Sequence, residues 1–224
     1  GFSSTNLSLI NRDIIWVTAH IRGGMELGMK FWKEGKMLNK KNTFEDYIAV
    51  AKFLIKKNYT STGNIIGLGG SAGGLLMGAV VNQSPELFLG IIMAVPFVDS
   101  LTTNLDHSLP LTVGELLEFG NAKDNKKHFD YIYSYAPYNN IKKMNYPHML
   151  ITTNLSDNRV LFDEPTKFTA KLRDYKTDNN LLLLKIEMNA GHGGKSGRDN
   201  AIKEVALDYA FALKISGKLK QSKT

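Results

Sequence analysis

Apolar positions along the chain fall into two rhythms. Runs at 13–21, 64–68, 90–96, 148–153 and 181–187 are apolar almost throughout, the character of short strands buried on both faces of a parallel sheet. Between them the apolar residues step at helical spacing. Phe44, Tyr47, Ile48, Val50, Ala51, Leu54 and Ile55 form one such stripe, preceded at Asn42-Thr43-Phe44-Glu45 by the acceptor and carboxylate spacing of a capping box. Further helices are predicted from Leu75 to about Gln83, from about Glu164 to Asp174 and from Asp199 to about Ile215, with a short one possible within residues 1–12. Residues 22–41 read as a loop with short helical turns. Periodicity weakens over 97–146, an irregular insertion of the kind that follows a strand's carboxyl end and carries substrate contacts. Alternation of this kind predicts an α/β protein, a mainly parallel sheet with helices on both faces, forming one domain over residues 1–224.

One junction between strand and helix carries chemistry. Gly69-Gly70-Ser71-Ala72-Gly73 fits G-x-S-x-G between an apolar run and a predicted helix. Its small neighbours allow the sharp turn that lifts a serine hydroxyl above a sheet edge. The Ala72 amide, opening the helix, is then placed to donate to a developing oxyanion. A glycine-rich connector without chemistry is the alternative reading.

Composition narrows the classes. The absence of cysteine excludes disulfides, thiolate metal sites and a thiol nucleophile, and is compatible with a cytoplasmic location. No apolar run approaches a membrane span and no signal-peptide pattern opens the chain, so no membrane partner is expected. The start at Gly1 rather than Met leads to the expectation that the chain is a portion of something longer. A net charge of +7 raises the question of nucleic acid. The lysines are scattered, and their concentration over 214–223 has no interleaved aromatic residues, so a solvated tail is expected rather than a nucleic-acid surface.

A serine hydroxyl needs a base, and the base needs something to orient it. In α/β hydrolases these follow in the order Ser, Asp/Glu, His, on loops after later strands. Of five histidines only His192 lies beyond the last predicted strand, between glycines; His20 ends an earlier strand, and His107, His128 and His148 precede the acid candidate. For the acid, Asp157 directly follows the penultimate strand. Asp99 is its rival, and Asp163 sits at the mouth of the next helix.

With these residues the chain resembles the catalytic domain of the oligopeptidase B group in the prolyl oligopeptidase family of serine peptidases. The likeness extends over Arg22-Gly23-Gly24-Met25-Glu26-Leu27-Gly28, Lys41-Asn42-Thr43-Phe44, Gly69 to Gly74, Val95-Pro96-Phe97-Val98-Asp99, Leu181 to Leu184, and Gly191-His192-Gly193-Gly194-Lys195-Ser196-Gly197-Arg198. The resemblance implies an α/β-hydrolase fold lacking its first strands, and cleavage of short basic peptides after Lys or Arg by Ser71, Asp157 and His192. No metal or organic cofactor is expected. It further implies Glu115 as the carboxylate that receives a basic side chain, and Arg159 as the arginine that holds a substrate carbonyl. Each has a plainer reading: Glu115 as a solvated surface charge, Arg159 as an ion-pair partner of Asp157 or Asp163. Two positions depart from the family pattern: Met25 stands where a third glycine is usual, and Leu117 where a second acidic residue is common. Full-length members carry an N-terminal β-propeller and early strands, with a tyrosine donor to the oxyanion hole, upstream of what corresponds to Gly1. Two other functions remain open at this point: a catalytically silent partner of a separately encoded N-terminal part, and a carboxylesterase on the same scaffold.

Overall fold

The computed structural model describes residues 3–219. Two short turns of helix open it, a 3-10 turn at Ser4–Asn6 and α1 at Leu7–Ile10, followed after a loop by α2 at Met29–Lys33 and α3 at Lys41–Lys56. Then come β1 (Ile65–Gly70), α4 (Ala72–Gln83), β2 (Phe88–Ala94), three short helices α5 (Ser100–Leu105), α6 (Thr112–Phe119) and α7 (Lys126–Tyr133), β3 (His148–Asn154), α8 (Asp163–Tyr175), β4 (Leu182–Glu187) and α9 (Arg198–Ile215).

The sheet runs β1-β2-β3-β4, every neighbour parallel. Parallel pairing forces a crossover between strands, and α4 and α8 supply it. They pack with α3 on one face, in a core that includes Phe44, Leu75, Met77, Ile91, Ile151 and Phe168. The other face is covered by α9, whose Phe211 and Ala212 meet Ile92 and Leu150. The central strand β2 is therefore closed on both sides, which is why its sequence is apolar without alternation. At the outer strands the covering thins: Leu68 of β1 is 45% exposed and Leu183 of β4 is 43% exposed.

Two expectations are corrected. Residues 13–21 do not form a strand. Their β-branched character is real, but Ile15 is 63% exposed and Val17 47%. Among the described residues no backbone hydrogen bond joins 15–20 to a neighbour. A strand needs a ladder partner as well as propensity, and β1, the nearest strand in the sequence, pairs on one side only. The capping box is also absent. The third helix starts earlier, at Lys41, and Asn42 Nδ2 donates to the Glu34 carbonyl at 2.8 Å instead of capping. Thr43 Oγ1 donates to the Arg22 carbonyl at 2.7 Å, so these side chains tie the preceding loop to the helix. The insertion after β2 is more regular than its sequence suggests, because three helices of six to eight residues are each too short for a clear period.

Candidate active site

Strand β1 turns into helix α4 at Ser71, which takes φ 55° and ψ −118°. A left-handed backbone at a residue with a Cβ carries strain, and such strain persists where surrounding structure over-determines it. Here the Ser71 amide donates to the Ala94 carbonyl at 2.9 Å, and its carbonyl accepts from the amides of Gly74 (2.9 Å) and Phe97 (3.0 Å). Two glycines make the turn possible by closeness. A Cβ at Gly69 would strike the Gly73 carbonyl, and one at Gly74 would strike Pro96. Ala72, first residue of α4 and exposed, has an amide with no acceptor in its own helix.

The other two predicted residues come from the exits of β3 and β4. In a flat count of strand spacings β4 lies about 14 Å from β1, so a residue after β4 must lean back across the rim to reach Ser71. It does so because the two exit loops are stitched together. Asn154 Nδ2 donates to the Gly191 carbonyl at 2.7 Å. The amides of Leu155 and Ser156 donate to the carbonyls of Glu187 (2.9 Å) and Ala190 (3.2 Å). On the far side Lys195 Nζ pairs with Glu187 at 2.8 Å.

The result is a relay. His192 Nε2 lies 3.1 Å from Ser71 Oγ, and His192 Nδ1 lies 2.8 Å from Asp157 Oδ2. A carboxylate only accepts, so the proton on the ring belongs to Nδ1, and the Nε2 lone pair faces the serine. The Asp157 side chain is fully buried and its second oxygen accepts from the amides of Arg159 (2.9 Å) and Val160 (3.1 Å). Both oxygens are thus spoken for and the carboxylate cannot rotate away from the ring.

The rival acids are engaged elsewhere. Asp99 and Asp163 both pair with Lys167, at 2.8 and 2.9 Å. Behind them Glu164 is buried and accepts from the Asp99 amide at 2.9 Å and from Thr103 Oγ1. Burial pushes its carboxyl up to about 7.

Glu115 and Arg159 flank the same rim. Glu115 is half-buried, and among the described residues it has no ion-pair partner. Burial, then the charge of Glu118, holds its carboxyl above the usual range, while Arg159, His192 and Lys40 pull it back. Arg159 is exposed and, among the described residues, pairs with neither Asp157 nor Asp163. Leu117 is 74% exposed. Glu118, one residue further, is taken up by Lys40 Nζ at 2.8 Å and Trp32 Nε1 at 3.1 Å.

Three residues at this site were not singled out by sequence: Asn154, Lys40 and Trp32. Asn154 closes β3 directly ahead of the acid loop, and an amide side chain at a buried strand end was its only signal. Trp32 lies in α2 and Lys40 directly before α3, and nothing local to them announces Glu118.

Comparison with known proteins gives a consistent picture. The family model described as prolyl oligopeptidase family matches residues 1–219. Protease 2 of Moraxella lacunata is 52% identical over 212 residues, covering 95% of this chain and 31% of that protein, in its C-terminal catalytic portion. Dipeptidyl aminopeptidase BI of Pseudoxanthomonas mexicana is 46% identical over 213 residues, 95% of this chain and 29% of the relative. Among solved structures, oligopeptidase B from Leishmania major superposes with a TM-score of 0.95 at 44% identity, over 99% of this chain and 31% of that one. The chain spans about a third of the length of these relatives. Among the described residues no helix is long and apolar enough to cross a membrane.

Proposed function

The chain belongs to the prolyl oligopeptidase family, and from that premise we propose that it is the catalytic portion of a serine peptidase that cleaves short peptides after Lys or Arg. The observation that carries the reading is the unbroken contact from Ser71 Oγ to His192 and on to buried Asp157, at 3.1 and 2.8 Å.

The chemistry follows from that order. His192 Nε2 takes the Ser71 proton as Oγ attacks the scissile carbonyl carbon. Charge moves onto the carbonyl oxygen, toward the Ala72 amide at the positive end of α4. Asp157 holds the Nδ1 proton and stabilises the imidazolium while it lasts. The tetrahedral species collapses as Nε2 returns the proton to the leaving amine, the C–N bond breaks and an acyl-serine remains. Water, deprotonated by the same nitrogen, then releases the acid and restores the hydroxyl.

Selection of a basic side chain requires a carboxylate that has not already been neutralised. Glu115 meets that requirement and Glu118, held by Lys40 and Trp32, does not. With Leu117 in the position between them, the incoming cation is received by Glu115 alone. Arg159, exposed beside the acid loop, is placed for a substrate carbonyl. The domain assignment is part of this proposal: residues 1–224 as one hydrolase unit, with no propeller within them.

A fluorophosphonate probe tests the nucleophile, since it marks only an activated serine. Labelling of Ser71, lost in Ser71→Ala, is expected; an unlabelled serine would sink the proposal. The substrate class is tested with an arginyl-arginyl amide, blocked and with a free amine, against a p-nitrophenyl ester. Hydrolysis of the ester with none of the amide would mark a carboxylesterase.

A further inference from the structure

Helix α6, which carries Glu115 in its first turn, is scarcely held by packing. Only Thr112 at its start and Phe119 at its end are buried, while Val113 and Leu117 are exposed. Apolar contact is undirected, and so little of it leaves a helix free to slide or turn. Hydrogen bonds at the two ends fix it instead. Thr112 Oγ1 donates to the Thr103 carbonyl at 3.0 Å. Beyond the last turn, Asn104 Nδ2 donates to the Gly120 carbonyl at 2.8 Å, and Asn104 Oδ1 accepts from the Ala122 amide at 2.7 Å. Consecutive residues of α5 therefore grip α6 at both ends, and Glu118 ties its flank to Lys40 and Trp32.

Helix α5 is in turn held by one buried side chain. Glu164 is 3% exposed and sits in the first turn of α8. Its Oε2 accepts from the Asp99 amide at 2.9 Å, and its Oε1 accepts from Thr103 Oγ1. Thr103 thus meets Glu164 through its hydroxyl and Thr112 through its carbonyl. Among the described residues no cation pairs with Glu164, and Lys167 is taken up by Asp99 and Asp163. Burying a carboxyl without a cation costs stability, so packing alone gives no reason for a glutamate here. What it supplies is direction. Helix α8 follows the loop that holds Asp157 and Arg159, and two acceptor oxygens at its start fix α5 against it.

We propose that Glu164 is a positioning residue for substrate selection. Through Thr103 and Thr112 it sets where α6, and with it Glu115, stands relative to the acid loop ahead of α8. The inference rests on the reading that Glu115 receives the basic side chain of the substrate. Glutamine suits the same place, because its oxygen accepts from the Asp99 amide while its NH2 group donates to Thr103 Oγ1. Alanine breaks both contacts and leaves the Asp99 amide and the Thr103 hydroxyl unpaired inside the fold.

The test compares Glu164→Ala, Glu164→Gln and Thr103→Val in the whole 224-residue chain. It reads amide exchange across α6, steady-state kinetics on an arginyl-arginyl amide, and the rate of fluorophosphonate labelling. Glu164→Ala is expected to speed exchange in α6 by about tenfold relative to β2 and β3. It should raise KM about tenfold while kcat and the labelling rate stay within about twofold, the pattern of lost binding rather than lost chemistry. Thr103→Val should act in the same direction, which keeps the test decisive if the alanine variant folds poorly. Glu164→Gln should restore the parental values. The inference is overturned if exchange in α6 is unchanged, if it rises no more than in β2 and β3, or if labelling slows as steeply as KM rises. Exchange decides the coupling of α8 to α6 without any turnover. A parent that labels but does not prefer arginyl over neutral amides overturns the role of Glu115 and this inference with it. A parent with that preference, and variants that keep it unchanged, overturn this inference alone.

Discussion

At the scale of single residues the site is defined by which side chains are already engaged. Asp157 has both oxygens occupied and faces one histidine. Asp157→Asn keeps the shape but gives the ring an ambiguous partner, and kcat is expected to fall on the order of 10⁴-fold, as for other serine–histidine–aspartate enzymes, with the circular dichroism spectrum unchanged. Glu115 is the reverse case, a half-buried carboxylate that forms no ion pair among the described residues. Glu115→Gln should reduce kcat/KM for an arginyl amide by about 1–3 kcal/mol while sparing ester hydrolysis. Because its carboxyl is held above the usual range, it should take up a proton at a higher pH than an ordinary glutamate. On acidification the preference for arginyl over neutral substrates should therefore fade early, which competition kinetics across pH would register.

Individual elements depend on close approach and buried charge. Helix α4 lies against Pro96 with no room for a side chain at Gly74. Gly74→Ala must push helix from strand, and a loss of about 1–3 kcal/mol in urea unfolding is expected, an overpacking cost. The start of α8 carries Glu164, whose carboxyl sits at about 7 in the fold against 4.5 unperturbed. Between those values the folded chain holds a proton the unfolded chain has released. Its contribution therefore favours folding below about pH 4.5 and is lost as pH rises to about 7. Asp208, pushed up to about 6 by burial, acts in the same direction. Comparing Glu164→Gln with the parent isolates one group: the difference in unfolding midpoint should change across pH 4.5 to 7 and be flat above it. A difference that stays constant over that interval would show that Glu164 keeps an ordinary carboxyl.

For the whole molecule, the open edge of β1 and the elbow are one problem, because Ser71 follows β1 directly. Under the proposed function the Ala72 amide is the oxyanion donor, and it opens the helix that follows that edge. The family resemblance implies a tyrosine donor outside these residues, so adding the unmatched remainder of the Moraxella lacunata relative should raise turnover on the order of 10²–10³-fold, the usual worth of one oxyanion donor. A titration of activity against that remainder would measure it.

Much of this was legible without coordinates, because it is local. Apolar runs without alternation mark strands covered on both sides, and loops after parallel strands must emerge at one rim, so the chain order Ser71, Asp157, His192 already placed three side chains on the same edge. Sequence could not decide which acid meets the ring. Asp99 and Asp163 are excluded only because Lys167 lies between them, a contact that joins α8 to the residue preceding α5. The Asn154 clamp and the capture of Glu118 by Lys40 and Trp32 are likewise meetings of residues 37 to 86 positions apart. Residues 13–21 mark the limit most plainly. Their composition states a preference for strand, but a strand exists only in a ladder, and whether a partner stands alongside is a property of the assembled sheet.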